Sequence, residues 1–142
     1  MQQSIQQLVH DYYWQKDFNC ANTTLAVLAE IFSVKLSKQI TSAAFGLNAG
    51  RMGLQCGLVE GALMFIGIVG QTQKFDDASK HGLCQNFILA FQRKFGAITC
   101  TDLRPKGFAP ENPPHLCEDR TVQAIDFSAH FIKEHLFPKK NN

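Results

Sequence analysis

Residues 50–67 read GRMGLQCGLVEGALMFIG and place Cys56 between a glycine-rich run and an apolar run. The residues after the cysteine are apolar on nearly every side, which is typical of the most buried helix of a bundle. Gly57 and Gly61 lie one helical turn apart on the same face, so another helix end could approach the sulfur closely there. We therefore expect a central helix from Cys56 to about Val69, packed tightly near its start.

The segments on either side of this helix also show helical spacing. Ser4, Asn19 and Ser37 are suitable N-cap residues, and Gly96 is a suitable helix end. The apolar periodicity predicts further helices at about 4–15, 20–32, 37–45, 76–95 and from 117 to 138. Gly46–Gln55 has the composition of a loop.

A Pro-rich loop precedes the last predicted helix. Four prolines and Gly107 exclude long regular structure between Ile98 and Cys117, although a short turn at Thr101–Leu103 fits the pattern. No strand pattern and no internal repeat is found. The sequence predicts an all-α fold, a compact bundle of about five or six helices with one long Pro-rich loop, in a single domain spanning residues 1–142.

The composition is that of a globular protein. The chain has 142 residues, of which 45% are hydrophobic and 18% charged, and its net charge is +2. So small a charge, without a basic stripe, argues against nucleic-acid binding. The longest apolar stretch is too short for a membrane span, and the N-terminus does not resemble a signal peptide. We expect a soluble, cytoplasmic protein without membrane insertion.

The cysteines are the main functional signal. Four of the five lie where a predicted loop meets a helix: Cys20, Cys56, Cys100 and Cys117. Helix N-termini stabilise thiolates, so we expect lowered thiol pKa values at these positions. Cys84 instead lies on the apolar stripe of its helix, where packing in the core is the favoured interpretation.

The spacing of the cysteines leaves their chemistry open. No CxxC pair is present, which weakens the thioredoxin-like and zinc-ribbon interpretations. Glu60 follows Cys56 by one turn and could bond near the sulfur, pair with Arg51 or accept a backbone donor. His115 is favoured as a solvated histidine, with a Cys/His metal site alongside Cys117 as the alternative.

The order of these cysteines resembles the C_GCAxxG_C_C family of redox-active proteins, and the resemblance covers nearly the whole chain. Phe18–Ala21 is similar to the first cysteine segment, and Met52–Gly57 to the central motif. Cys100, after Phe95-Gly96, and Cys117 correspond to the third and fourth cysteines. Leu58 stands where the motif has alanine, and Cys84 has no counterpart in the pattern.

The resemblance implies a helical domain whose four cysteines act together, in an electron-transfer setting. Four thiolates would suit an iron–sulfur cluster or zinc, with all four as ligands. The same cysteines could instead be the catalytic groups of a thiol/disulfide oxidoreductase, as two exchanging dithiol pairs. Without a CxxCH motif, we expect no covalent haem.

Two further alternatives involve no redox chemistry. The chain could be a non-enzymatic interaction domain, forming a homo-oligomer in which the cysteines are simply buried. The four cysteines could also form a structural zinc site. We expect a homodimer in either function class, and the sequence does not identify a redox partner or a substrate.

Overall fold

The structure is a computed structural model that describes residues 4–48, 52–104, 111 and 113–138. Seven α-helices lie within these ranges: α1 (Ile5–Trp14), α2 (Cys20–Ile31), α3 (Lys38–Ala44), α4 (Gly57–Thr72), α5 (Asp77–Phe95), α6 (Cys100–Leu103) and α7 (Glu118–Leu136). A 3-10 turn, Pro114–Cys117, leads into α7. The described ranges contain no strand, which confirms the all-α prediction. The number exceeds the expected five or six helices because the single turn α6 is helical, at the place where the sequence predicts a short turn.

Parts of two predicted loops lie outside the described residues. These parts are residues 49–51, which include Gly50 and Arg51, and residues 105–110 with residue 112 of the Pro-rich loop. The described residues that precede α4 include Asn48 and Gly53, both with the positive φ that loop chemistry predicts there.

Most predicted helix ends are confirmed. Ser4 Oγ accepts a hydrogen bond from the Gln7 amide at 3.1 Å, and the Asn19 side chain accepts one from the Asn22 amide at 2.8 Å. Gly96 ends α5 in the left-handed conformation, at φ 86°. Ser37 occupies the N-cap of α3, but its side chain forms no capping hydrogen bond. Cys56 is the N-cap of α4, which continues to Thr72, slightly beyond the expected end.

The central position of α4 is determined by its apolar surface. Val59, Phe65 and Ile66 are fully buried, because α4 packs against α2, α5 and α7. Its contact with α2 is the most extensive between any two described helices. Among the described residues, no helix is both long enough and apolar enough to cross a membrane.

The contact between α2 and α4 depends on two glycines. A Cβ atom placed on Gly61 would lie 2.6 Å from the carbonyl oxygen of Ala21, and one on Gly57 would lie 2.9 Å from the Cβ of Cys20. Real Cβ atoms essentially never come so close to other atoms. The predicted close approach at Cys56 is therefore confirmed, and the helix end that approaches is the one that carries Cys20.

Replacing Gly61 with alanine should destabilise the fold. The added methyl group must push the α2 backbone away, and overpacking of this kind costs roughly 1–3 kcal/mol. Gly67→Ala is the matched control on the same helix, because a Cβ there meets no atom within 4 Å. The control should gain about 0.5–1 kcal/mol from better helix propensity. Urea unfolding of both variants measures the difference, and equal stabilities would contradict the tight contact.

Candidate functional site

Four cysteines line one pocket, whose volume is about 40 Å³. Cys20 is the first residue of α2, Cys56 caps α4, Cys100 begins α6 and Cys117 precedes α7. The described lining also includes Asn19, Leu47, Asn48, Gly57, Leu58, Leu103, Arg104 and Arg120. The pocket therefore brings together the four cysteines that the sequence selects, while their chemical roles stay a prediction.

A short antiparallel bridge holds Cys56 beside Cys100. The Cys56 amide donates to the carbonyl of Ile98, and the Cys100 amide donates to the carbonyl of Leu54, both at 2.8 Å. The two bonds flank the pair Gln55 and Thr99. Residues at these two positions of an antiparallel bridge are diagonal neighbours, whose Cα atoms are typically about 7–8 Å apart, and both cysteines line the pocket.

Two hydroxyl groups connect the segments that carry Cys20 and Cys117. The Tyr13 hydroxyl donates to the Cys20 sulfur at 3.2 Å and lies 2.7 Å from the Thr121 hydroxyl. The Thr121 hydroxyl in turn contacts the carbonyl oxygen of Cys117 at 2.8 Å. Tyr13 and Thr121 are both buried, so this chain fixes the start of α2 relative to the start of α7.

The surroundings of Cys117 lower the pKa of its thiol. The largest cause is hydrogen bonding by the Cys20 thiol, and the positive charges of Arg104 and Arg120 act in the same direction. Together these interactions outweigh burial and lower the pKa of Cys117 to about 7. A large fraction of Cys117 is therefore thiolate, the nucleophilic form, near neutral pH.

Cys20 and Cys56 correct the expectation that helix N-termini would lower every thiol pKa. Donation to Cys117, burial and the negative charge of Cys117 raise the pKa of Cys20 well above its usual value. Burial raises the pKa of Cys56 to about 12, although the amides of Leu58 and Val59 oppose the shift. These amides stabilise the thiolate without forming a capping hydrogen bond of standard geometry. The amides at the helix N-terminus do lower the pKa of Cys56, but burial of the thiol raises it by more.

Arg104 interacts with several sulfurs at once. Burial alone would lower the pKa of its guanidinium, but the charges of Cys117, Cys100 and Cys20 and a hydrogen bond with Cys100 raise it. Arg120 also lines the pocket, with its guanidinium 5.8 Å from the ring centre of Phe95. Two cations therefore face the thiols.

The structure gives one contact each for Glu60 and His115. Glu60 accepts a hydrogen bond from the Asn48 amide at 3.0 Å, as predicted for a backbone donor, while the alternative partner Arg51 lies outside the described residues. The Asn48 side chain accepts from the amides of Gly53 and Leu54, both at 2.8 Å, and so shapes the approach to Cys56. His115 stacks on Trp14, with ring centres 4.0 Å apart.

The predicted metal ligands do not form a metal-binding geometry in this conformation. Within the described ranges, no group of three or more His, Cys, Asp or Glu side chains is placed to hold a metal ion. The four cysteines share a pocket, and the charge of Cys117 raises the pKa of both Cys20 and Cys56. Cys84 lies outside the pocket and packs half-buried against the hydrophobic core, as the sequence predicts.

A scan of family models gives one match over residues 18–131, to the family described as "putative redox-active protein (C_GCAxxG_C_C)". The chain belongs to the C_GCAxxG_C_C family. The matched range contains all four cysteines of the pocket, and the family description supports a redox role for the chain. Comparison with curated proteins and with solved structures gave no significant match.

Sequence reasoning missed four residues of the C_GCAxxG_C_C site: Tyr13, Arg104, Arg120 and Thr121. No local pattern marks a tyrosine or threonine that will contact a cysteine on another helix. The arginines had one usable signal, because each lies three or four residues after a helix-start cysteine. Residues three or four positions apart are neighbours on the surface of a helix.

The titration of Cys117 should depend on the donor at position 20. In the wild-type protein, thiolate absorbance at 240 nm should show a midpoint near pH 7 that Cys117→Ser removes. Cys20→Ala deletes the donor and should raise this midpoint by roughly 1–2 pH units, as expected for a hydrogen bond to a charged group worth about 1.5–3 kcal/mol.

Cys20→Ser is the matched control, because its hydroxyl keeps a donor at the same place. Its midpoint should stay close to that of the wild-type protein. If the alanine and serine variants titrate alike, the hydrogen bond from Cys20 does not set the acidity of Cys117.

Proposed function

We propose that this protein is a thiol–disulfide oxidoreductase in which Cys117 is the nucleophile and Cys20 the resolving thiol. The observation that carries the proposal is the shared pocket, in which Cys20 and Cys117 lie together with Arg104 and Arg120. The Tyr13 hydroxyl donates to the Cys20 sulfur at 3.2 Å, and the pKa of Cys117 is lowered to about 7. A stabilised thiolate next to a protonated second thiol is the arrangement that dithiol exchange requires.

The reaction begins with attack by the Cys117 thiolate on a substrate disulfide. A bond forms between Cys117 and one substrate sulfur, and the other substrate sulfur leaves as a thiolate that takes a proton from solvent. Cys20 then loses its proton and attacks the Cys117 sulfur, which releases the second substrate thiol. Two electrons pass from the dithiol to the substrate, and Cys20 and Cys117 end as a disulfide.

The order of these two steps follows from the electrostatics of the pair. Two of the four causes that raise the pKa of Cys20 involve Cys117: the hydrogen bond donated to its sulfur and the charge of its thiolate. Both disappear when Cys117 becomes covalently bound to substrate. Donation by the Tyr13 hydroxyl then favours the Cys20 thiolate. Cys20 therefore becomes reactive only after the first step.

Cys56 and Cys100 form a reserve dithiol in this proposal. Their sulfurs line the same pocket, so Cys56 and Cys100 can reduce the Cys20–Cys117 disulfide by thiol–disulfide exchange. The exchange leaves Cys56 and Cys100 joined as a disulfide instead. Their estimated Cα separation of about 7–8 Å lies at or beyond the usual limit of about 7 Å for a disulfide. Closing that bond therefore needs a small backbone movement, which makes the second pair slower to oxidise.

Glutathione disulfide, as a probe, should oxidise the wild-type protein at Cys20 and Cys117 first. Peptide mapping by mass spectrometry should find these two cysteines linked. Cys20→Ser should instead accumulate glutathione on Cys117, because the proposed resolving thiol is missing, and Cys117→Ser should lose the fast reaction. Free-thiol counting gives the rates.

Cys84→Ser is the control, since Cys84 lies outside the pocket. It should react like the wild-type protein. A first disulfide between any other two cysteines, or fast glutathionylation of Cys84, would contradict the assignment of nucleophile and resolving thiol.

Binding of an iron–sulfur cluster or zinc by the same four thiols is the second candidate. It is supported by their shared pocket and by the preference of these metals for thiolates. Because no group of three or more His, Cys, Asp or Glu side chains among the described residues is placed to hold a metal ion, this candidate needs a rearrangement of the thiols. Metal analysis and visible absorption after anaerobic purification separate the candidates. Stoichiometric iron or zinc that is lost in Cys117→Ser would favour the metal site over the dithiol.

The non-redox alternative and the homodimer stay predictions. A variant with both Cys20→Ser and Cys56→Ser distinguishes the non-redox alternative from a redox function. A large loss of stability with an unchanged redox titration would favour a homo-oligomeric interaction domain with buried cysteines.

A further inference from the structure

The four-cysteine pocket also has the features of an anion site. Its described lining contains two guanidinium groups, Arg104 and Arg120, and two amide side chains, Asn19 and Asn48, but no carboxylate. Its volume of about 40 Å³ provides room for roughly three water molecules. That space suits an anion the size of phosphate or sulfate and excludes a nucleotide.

Three long helices add positive potential to the same place. The pocket lining includes Cys20 at the start of α2, Gly57 at the start of α4, and Cys117 immediately before α7. Helix N-termini present unpaired amides and a partial positive charge, which favour anions. The acidic residues of the first turn of α7 are not part of the described lining, and Glu118 is bonded to His10 at 2.8 Å.

Above about pH 7 the reduced protein carries an anion in this pocket, the Cys117 thiolate, whose pKa is lowered by Arg104 and Arg120, which line the same pocket. Disulfide formation with Cys20 removes that negative charge while the guanidinium groups stay. Whatever other contacts the arginines make, a second anion is repelled by the thiolate in the reduced state and not in the oxidised state.

We propose that the pocket binds a small tetrahedral oxyanion, through Arg104 and Arg120, when Cys20 and Cys117 are joined as a disulfide. This inference rests on the proposed function, because it needs that disulfide to form. The oxyanion is a ligand that senses the redox state of the pocket, and its binding is reciprocal: an anion that prefers the oxidised form must stabilise it.

The reduction potential of the pair should therefore depend on the oxyanion. Inorganic phosphate is the probe, at constant pH and with ionic strength held by gluconate, which is too large for the pocket. The potential should become more negative, by about 30 mV for each tenfold excess of phosphate over its dissociation constant for the oxidised form. Calorimetric titration should find phosphate bound at least about tenfold more tightly to oxidised than to reduced protein.

Arg120→Gln should abolish the dependence on phosphate, and Arg120→Lys, which keeps the charge, should retain part of it. Arg93→Gln is the matched control, because Arg93 is an exposed residue of α5 outside this pocket. It should respond to phosphate like the wild-type protein.

The outcomes separate the two proposals. A Cys20–Cys117 disulfide whose potential is the same with and without phosphate, or responds equally in Arg120→Gln, overturns the oxyanion site and leaves the oxidoreductase standing. Failure of that disulfide to form under any oxidant overturns both.

Discussion

The direct backbone contact between α2 and α4 determines where the reactive groups of this protein lie. At Gly57 and Gly61 there is no space for a Cβ atom, so the first turn of α2 rests against the first turn of α4. Cys20 and Cys56 lie at the starts of these two helices, so the contact brings both cysteines to one pocket. Any larger residue at the glycines would separate the helices and, with them, the sulfurs.

The site also shows how burial and charge compete at neighbouring thiols. All four cysteines stand at helix starts, yet the pKa of Cys117 falls while those of Cys20 and Cys56 rise. Helix amides contribute at Cys56, but they are weaker than the loss of solvent. At Cys117 a donated hydrogen bond and two guanidinium groups reverse the balance. The pKa of Cys117 is low in part because the Cys20 thiol stays protonated beside it.

Much of the fold could be predicted because it depends on local chemistry. The helices follow from apolar spacing and from caps such as Asn19 and Gly96, and the glycines of α4 indicated a close approach before the partner helix was known. The details of the pocket depend on tertiary structure instead. Tyr13 meets Thr121 across more than a hundred residues of chain, and no sequence interval encodes that contact. The pKa values could not be predicted, because burial and the neighbouring thiolate exist only in the folded protein.

The antiparallel bridge at Cys56 and Cys100 has a mechanical consequence. Its two backbone hydrogen bonds close the chain from Leu54 to Cys100 into a loop that contains α4 and α5. The cysteines of that loop share one structural unit, whereas Cys20 and Cys117 belong to a second unit, in which α1 and α7 are joined by Tyr13 and Thr121. The glycine contact, where α2 touches α4, joins these two units directly, so the cysteines of both units are held at one rigidly packed junction.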